Sequence, residues 1–260
     1  MSDRVVTTEQ DGAVGTITLN RPKANSYNLA FMEDLNTSID EMISNDSVKT
    51  VVMKSALDGF FSAGADIKAF RANTTEENMK MIRFAHATLR KMGDSSKVFI
   101  AAIGGHTLGG GLEIALACDL RTAGDGAFRM GLPEVTLGLL PGNGGTQRLP
   151  RLIGRTRALS MMLTGETVPP ARAHELGFVD WIFPQDSYLA DTLVMARKLA
   201  TGATVAMASI KRCIFDGMEM PLSEALDMER EAIGPLFDTD DAKEGFAAFA
   251  EKRKAVFTGR

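Results

Sequence analysis

Hydrophobic and polar positions alternate between a strand period and a helix period over the first two-thirds of the chain, and settle into a helix period after that. Val5 to Glu9 and Val14 to Asn20 are short β-favouring runs on either side of Asp11-Gly12, a hairpin signal. Leu29 to Ser44 carries Met32, Leu35, Ile39 and Met42 on one stripe, the spacing of an amphipathic helix. Thr50 to Lys54 is a buried-type strand. From about Thr75 to Met92 a second helix presents Ile82, Ala85, Leu89 and Met92, and Thr74 and Glu77 are spaced as a capping box at its start. Further strand-like runs lie at Val98 to Ile103, Leu120 to Ala123, Phe128 to Met130 and Val179 to Phe183. Helix-type patterns cover Leu112 to Cys118, Thr146 to Ile153 and Thr156 to Leu163. After Gln185 the pattern is helical to the end, broken near Gly202, at Gly217 to Pro221 and at Gly234-Pro235. Alternating strands and helices predict an α/β core, here residues 1–195, and the remainder, residues 196–260, a helical appendage.

Composition narrows the function classes. The 260 residues are 45% apolar, enough for a large core, and 24% charged. A net charge of −4, from 29 basic and 33 acidic side chains, argues against a nucleic-acid partner. Two cysteines, Cys118 and Cys213, supply neither a disulfide framework nor a metal spacing, so no metal site and a reducing compartment are expected. The N-terminus has no signal-peptide pattern, and no apolar run reaches the roughly 18 residues that span a bilayer. A cytoplasmic protein without a membrane partner is the expectation.

The chemistry concentrates at Gly104 to Glu113, Gly-Gly-His-Thr-Leu-Gly-Gly-Gly-Leu-Glu. Each glycine inside a helix costs about 1 kcal/mol against alanine, so Gly109 to Gly111 need another reason. They have one if the backbone must come close to a ligand, because uncovered amides at a helix start can hold developing negative charge. Glu113 follows on the first turn, placing a carboxylate beside those amides. The pairing points to acid/base chemistry next to an oxyanion. A dinucleotide-binding oxidoreductase is the competing reading of a glycine loop. The glycines do not fit that fingerprint, and no acidic strand end about 20 residues later completes it.

Several segments, in order along nearly the whole chain, together carry a resemblance: Asn20-Arg21-Pro22, Phe61 to Lys68, Leu108 to Glu113, Cys118 to Arg121, Gly131 to Glu134, Pro141 to Leu149 and Glu251 to Lys254. The sequence resembles the crotonase superfamily and, within it, the enoyl-CoA hydratases. The resemblance implies a spiral of ββα turns with two nearly perpendicular sheets, followed by C-terminal helices that form a homotrimer or a homohexamer built as a dimer of trimers. It implies an acyl-CoA thioester substrate, with coenzyme A as part of the substrate and no separate cofactor. It assigns an oxyanion hole to the backbone N–H groups of Ala65 and Gly110, and acid/base roles to Glu113 and Glu134. Lys23, Ala24, Ala63, Ala65, Asp66, Ile67 and Lys68 would line the CoA channel with Gly110. Phe249 and Lys252 would reach a neighbouring subunit's nucleotide end, where a lysine suits phosphate.

Two carboxylates fit hydration of a 2-enoyl thioester, because one water must lose a proton to attack C3 while C2 gains one. Closely placed carboxyls titrate as a unit and retain a proton near neutral pH. An isomerase moving a 3-enoyl double bond on the same scaffold is the alternative, and a non-catalytic scaffold would not require both acids. The chain departs from the usual pattern at Gly104-Gly105-His106-Thr107 and at Asn25-Ser26-Tyr27-Asn28, and is one residue longer between Asp119 and Glu134. These departures bear on acyl preference. His106 is a candidate for touching substrate, whereas His86, His174, Tyr27, Trp181 and Arg148 read as structural or packing residues.

Overall fold

The computed structural model describes residues 4–260. Its chain order is β1 (Val6–Asp11), β2 (Val14–Leu19), α1 (Leu29–Ser44), β3 (Thr50–Ser55), β4 (Phe60–Ser62), α2 (Ile67–Ala72) and α3 (Thr75–Asp94). Then come β5 (Val98–Ile103), β6 (His106–Leu108), α4 (Gly110–Ala117), β7 (Leu120–Gly124) and β8 (Met130–Gly131), with a 3₁₀ turn at Glu134–Leu137. The remainder is α5 (Gly145–Ile153), α6 (Arg155–Thr164), β9 (Thr167–Val168), α7 (Pro170–Leu176), β10 (Trp181–Phe183), α8 (Tyr188–Ala200), α9 (Thr204–Gly217), α10 (Leu222–Ile233) and α11 (Asp240–Ala250).

Two sheets divide the strands. One has the order β1-β2-β3-β5-β7-β10, antiparallel only at the β1-β2 hairpin and parallel from β2 to β10. The other has the order β4-β6-β8-β9, parallel except for β9. Successive strands therefore alternate between sheets: β3 then β4, β5 then β6, β7 then β8, each pair followed by helical structure. This is a ββα spiral, an α/β fold with two mixed sheets and a helical C-terminal region.

The parallel strands are apolar on both faces because helices cover both. Val51, Met53, Phe99, Ala101 and Ile103 face the core formed with α1, α3 and α4. Val52, Ile100 and Ala102, one position out of phase, face Ala196 and Ala200 on α8. Local signals set the helix starts. Asn28 caps α1 by accepting from Phe31 N at 3.0 Å. The Thr74 and Glu77 capping box forms with both bonds, at 3.2 and 2.6 Å.

Short elements depart from the sequence expectation. Strand β6 lies inside the glycine stretch, and β9 and α7 lie in a segment read without elements. Helix α2, capped by Asp66, begins in a segment for which no helix was expected. Each is too short for a period to show, and is held by tertiary pairing rather than by its own pattern.

Candidate active site

The site is built where the second sheet meets the start of α4. Strands β6 and β8 run parallel with Leu108 opposite Gly131, and Gly109 N donates to Gly131 O at 2.9 Å. That pairing carries Glu134, three residues past β8, up beside Gly109. A Cβ on Gly109 would stand 2.9 Å from Glu134 Oε1, and the φ of +53° disfavours a side chain as well. A Cβ on Gly111 would stand 2.3 Å from Ser62 O, so β4 also packs directly on the glycine backbone. The glycines are there for close approach, from Glu134 on one side and β4 on the other.

The loop after β4 brings Ala65 to the same place. Ala63 N donates to Ala24 O, Tyr27 N to Gly64 O and Asp66 N to Tyr27 O, at 2.9, 2.9 and 2.8 Å. Arg21 pairs with the Asp66 carboxylate at 2.8 Å and holds it below the usual carboxylate range. A Cβ on Gly64 would lie 3.0 Å from Gly110 N, so the peptide entering Ala65 abuts the amide of Gly110. Neither Ala65 N–H nor Gly110 N–H donates to another group among the described residues. Two uncommitted amides, one at a helix start, stand together.

Glu113 is 1% exposed, yet its Oε1 accepts from Asn143 N at 2.6 Å and from Gly145 N at 2.7 Å. Two amide donors offset part of what burial costs a carboxylate. Burial still raises its pKa, and Arg148 and His86 oppose the rise. Glu134 is driven up to about 7, chiefly by burial, with the charge of Glu113 adding to it. Its Oε2 is buried with no partner among the described residues. Near neutral pH Glu134 can therefore hold a proton, while the two amide donors favour the carboxylate form of Glu113.

The Pro141 to Gly145 turn is the part of the site that sequence reasoning left without a role. It supplies both donors to Glu113 and is itself clamped. His86 Nε2 meets Gly142 O at 2.6 Å, Arg148 Nη1 donates to Asn143 O at 2.9 Å, and Asn143 Nδ2 donates to the Tyr27 hydroxyl at 2.6 Å. The signal was the glycine pair before α5, legible as a tight turn but not as a cradle for Glu113. His106 stacks on Phe60 with centroids 5.2 Å apart and accepts from Arg129 N at 3.2 Å.

Lys23 and Ala24 join the Ala63 to Lys68 loop through the bonds just described, with Lys23, Ile67 and Lys68 exposed along it. Asp66 spends its carboxylate on Arg21 and on the amides of Lys68 and Ala69. Phe249, 87% exposed, and Lys252 lie on the C-terminal appendage and form no hydrogen bond or ion pair with these groups.

Comparison with known proteins gives the family of the chain. Residues 9–260 match the profile of the Enoyl-CoA hydratase/isomerase family. The short-chain-enoyl-CoA hydratase of Clostridium acetobutylicum is 37% identical over 95% of this chain and 94% of its own length. The 2,3-dehydroadipyl-CoA hydratase of Escherichia coli is 36% identical, with both chains covered in full. A crystal structure of an enoyl-CoA hydratase from Geobacillus kaustophilus superposes with a TM-score of 0.96 at 45% identity, over 100% of this chain and 98% of that one. With its ββα spiral and paired sheets, the chain belongs to the enoyl-CoA hydratase/isomerase family and is an enzyme of the enoyl-CoA hydratase type.

Proposed function

We propose that the chain adds water reversibly across the double bond of a 2-trans-enoyl-CoA to give a 3-hydroxyacyl-CoA. The observation that carries this reading is the pairing of two uncommitted amides with a buried glutamate held by two backbone donors and a half-buried one with an unpartnered oxygen. The thioester oxygen would accept from Ala65 N–H and Gly110 N–H, and the dipole of α4 would favour the charge that builds there as the enolate forms. Ionised Glu113, its Oε1 fixed by the Asn143 and Gly145 amides, would take a proton from the attacking water. Neutral Glu134 would deliver one to C2 and regain it when the reaction reverses.

Coenzyme A enters as part of the substrate, with no further cofactor in the scheme. Its pantetheine and adenine would follow Lys23, Ala24 and the Ala63 to Lys68 loop. Phe249 and Lys252 would serve a neighbouring subunit's nucleotide in a homotrimer or a hexamer of paired trimers. The exposed apolar side chains of the appendage, among them Ile210, Ile214, Met218, Leu222 and Phe249, support such an assembly.

Relatives named for short-chain and for dehydroadipyl thioesters make crotonyl-CoA and a dicarboxylic 2-enoyl-CoA suitable first substrates. The expected result is loss of the enoyl-thioester absorbance with formation of the 3-hydroxyacyl product. Failure on short, medium, branched, cyclic and dicarboxylic thioesters would overturn the reading. Faster turnover of 3-enoyl than of 2-enoyl thioesters would replace it with isomerisation.

A further inference from the structure

The hydroxyl of Tyr27 is buried where the two halves of the site meet, and the mechanism above makes no use of it. Three separate contacts fix it there. Its main chain brackets Ala65, donating to Gly64 O and accepting from Asp66 N, which leaves the Ala65 N–H free to face elsewhere. Its ring stands against the start of α4, where a Cβ on Gly110 would lie 2.3 Å from the hydroxyl oxygen and 2.4 Å from Cε1. The hydroxyl accepts from Asn143 Nδ2 at 2.6 Å, and the backbone N–H of Asn143 donates to Glu113 Oε1, also at 2.6 Å. One residue thus meets the carriers of both amides, Ala65 through its main chain and Gly110 through its ring, and through its hydroxyl the residue that holds the general base.

The polar atoms of this junction are not all used. The phenolic oxygen is the acceptor in its bond to Asn143, so its own proton has no acceptor among the described residues. Asn143 is 3% exposed and its Oδ1 is buried without a partner. A purely structural Tyr–Asn pair would close its hydrogen bonds internally. Burial and the charges of Glu113 and Glu134 keep the phenol protonated, so the hydroxyl remains a donor.

We propose that Tyr27 is a positioning residue for the hydration chemistry: its hydroxyl acts through Asn143 to set the Glu113 carboxylate, and its ring holds the Gly110 amide beside that of Ala65. This rests on the hydratase reading. The two parts separate by substitution, since Tyr27→Phe removes the hydroxyl alone and Tyr27→Leu removes the ring as well.

For Tyr27→Phe, kcat on crotonyl-CoA should fall about tenfold with KM within about twofold and the melting temperature retained. Asn143→Ala should cause a similar loss, and the double variant little more than either, because both lie on one path to Glu113. Tyr27→Leu should also erode the preference for acetoacetyl-CoA, which can bind as an enolate, over butyryl-CoA, which cannot. Wild-type kcat in Tyr27→Phe, or losses that multiply in the double variant, would overturn the hydroxyl's role. Equal weakening of both thioesters together with a lowered melting temperature would reduce Tyr27 to packing and overturn the proposal. If the wild type binds both thioesters but hydrates no 2-enoyl-CoA, the hydratase reading fails, and the preference in Tyr27→Leu still decides the ring's role: lost supports it, kept overturns it.

Discussion

Glu113 and Glu134 differ less in kind than in what surrounds them. Glu113 is buried on α4 but has two backbone donors on one oxygen, whereas Glu134 is half-buried against Gly109 with a buried oxygen that has none among the described residues. In the proposed scheme that asymmetry gives the base role to Glu113 and the acid role to Glu134. Each Glu→Gln change should cost about 10²–10⁴ in kcat while the circular dichroism spectrum is unchanged. A variant close to wild-type rate would remove the two-carboxylate scheme. The pH dependence follows from the same environments. Hydration needs the pair singly protonated, so kcat/KM should be bell-shaped, with its alkaline limb near the Glu134 value of about 7. Stability has its own sign. The folded pKa of Glu134 is raised from 4.5 to about 7, so its contribution is full below 4.5 and is lost as pH rises through 7. Glu134→Gln, which stays neutral, should match the wild type near pH 4 and melt about 4 °C higher near pH 8. A gap that is widest in acid would contradict the assignment.

At the scale of elements, the amide pair exists because three short pieces of backbone approach without side chains between them. Gly64, with a φ of +86°, presses on Gly110 N, and Gly109 gives Glu134 its place. Gly64→Ala would put a methyl group 3.0 Å from that amide in a conformation disfavoured for alanine. The expected loss is about 10²–10³ in kcat, the usual effect of removing one oxyanion donor. A variant that folds and keeps full activity would show that the oxyanion sits elsewhere. The apolar stripe of α3 was plain in the sequence because it repeats over about three turns, and its capping box because it lies within four adjacent residues. Strand β6 was not, because three residues carry no period and owe their pairing to β4 and β8. The same holds for the Pro141 to Gly145 turn, whose value lies in a carboxylate some 30 positions earlier.

Across the whole molecule, the C-terminal helices are tied to the spiral by a charge. Lys211 on α9 is 8% exposed and reaches Asp119 at 2.9 Å, along with the carbonyls of Met92 and Lys97 at 2.6 and 2.8 Å. Lys211→Ala would strand Asp119 in the interior, at a cost of about 3–5 kcal/mol. A drop of roughly 10 °C in melting temperature should follow, and an unchanged value would show that water enters and relieves the site. The appendage leaves Phe249 87%, Leu222 74% and Phe246 65% exposed, more apolar surface than an isolated subunit should leave in water. Size-exclusion chromatography with light scattering should give a trimer or a hexamer, and a stable monomer would remove the role proposed for Phe249 and Lys252.

The sequence by itself determined the α/β alternation, the long helices and their caps, and, through segments spread over nearly its whole length, the family resemblance. These are local or repeated features, written in spacing that needs no partner to be read. It also marked Glu113 and the three glycines, because glycine in a helix start demands an explanation. Only the tertiary structure decided that Glu113 has two backbone donors while an oxygen of Glu134 has none, and which residues clamp the turn that holds Glu113. It alone moved Tyr27 from an ordinary packing residue to the junction of the site. Such properties depend on distance between residues remote in the chain, and desolvation and hydrogen bonding act through that distance rather than through sequence order.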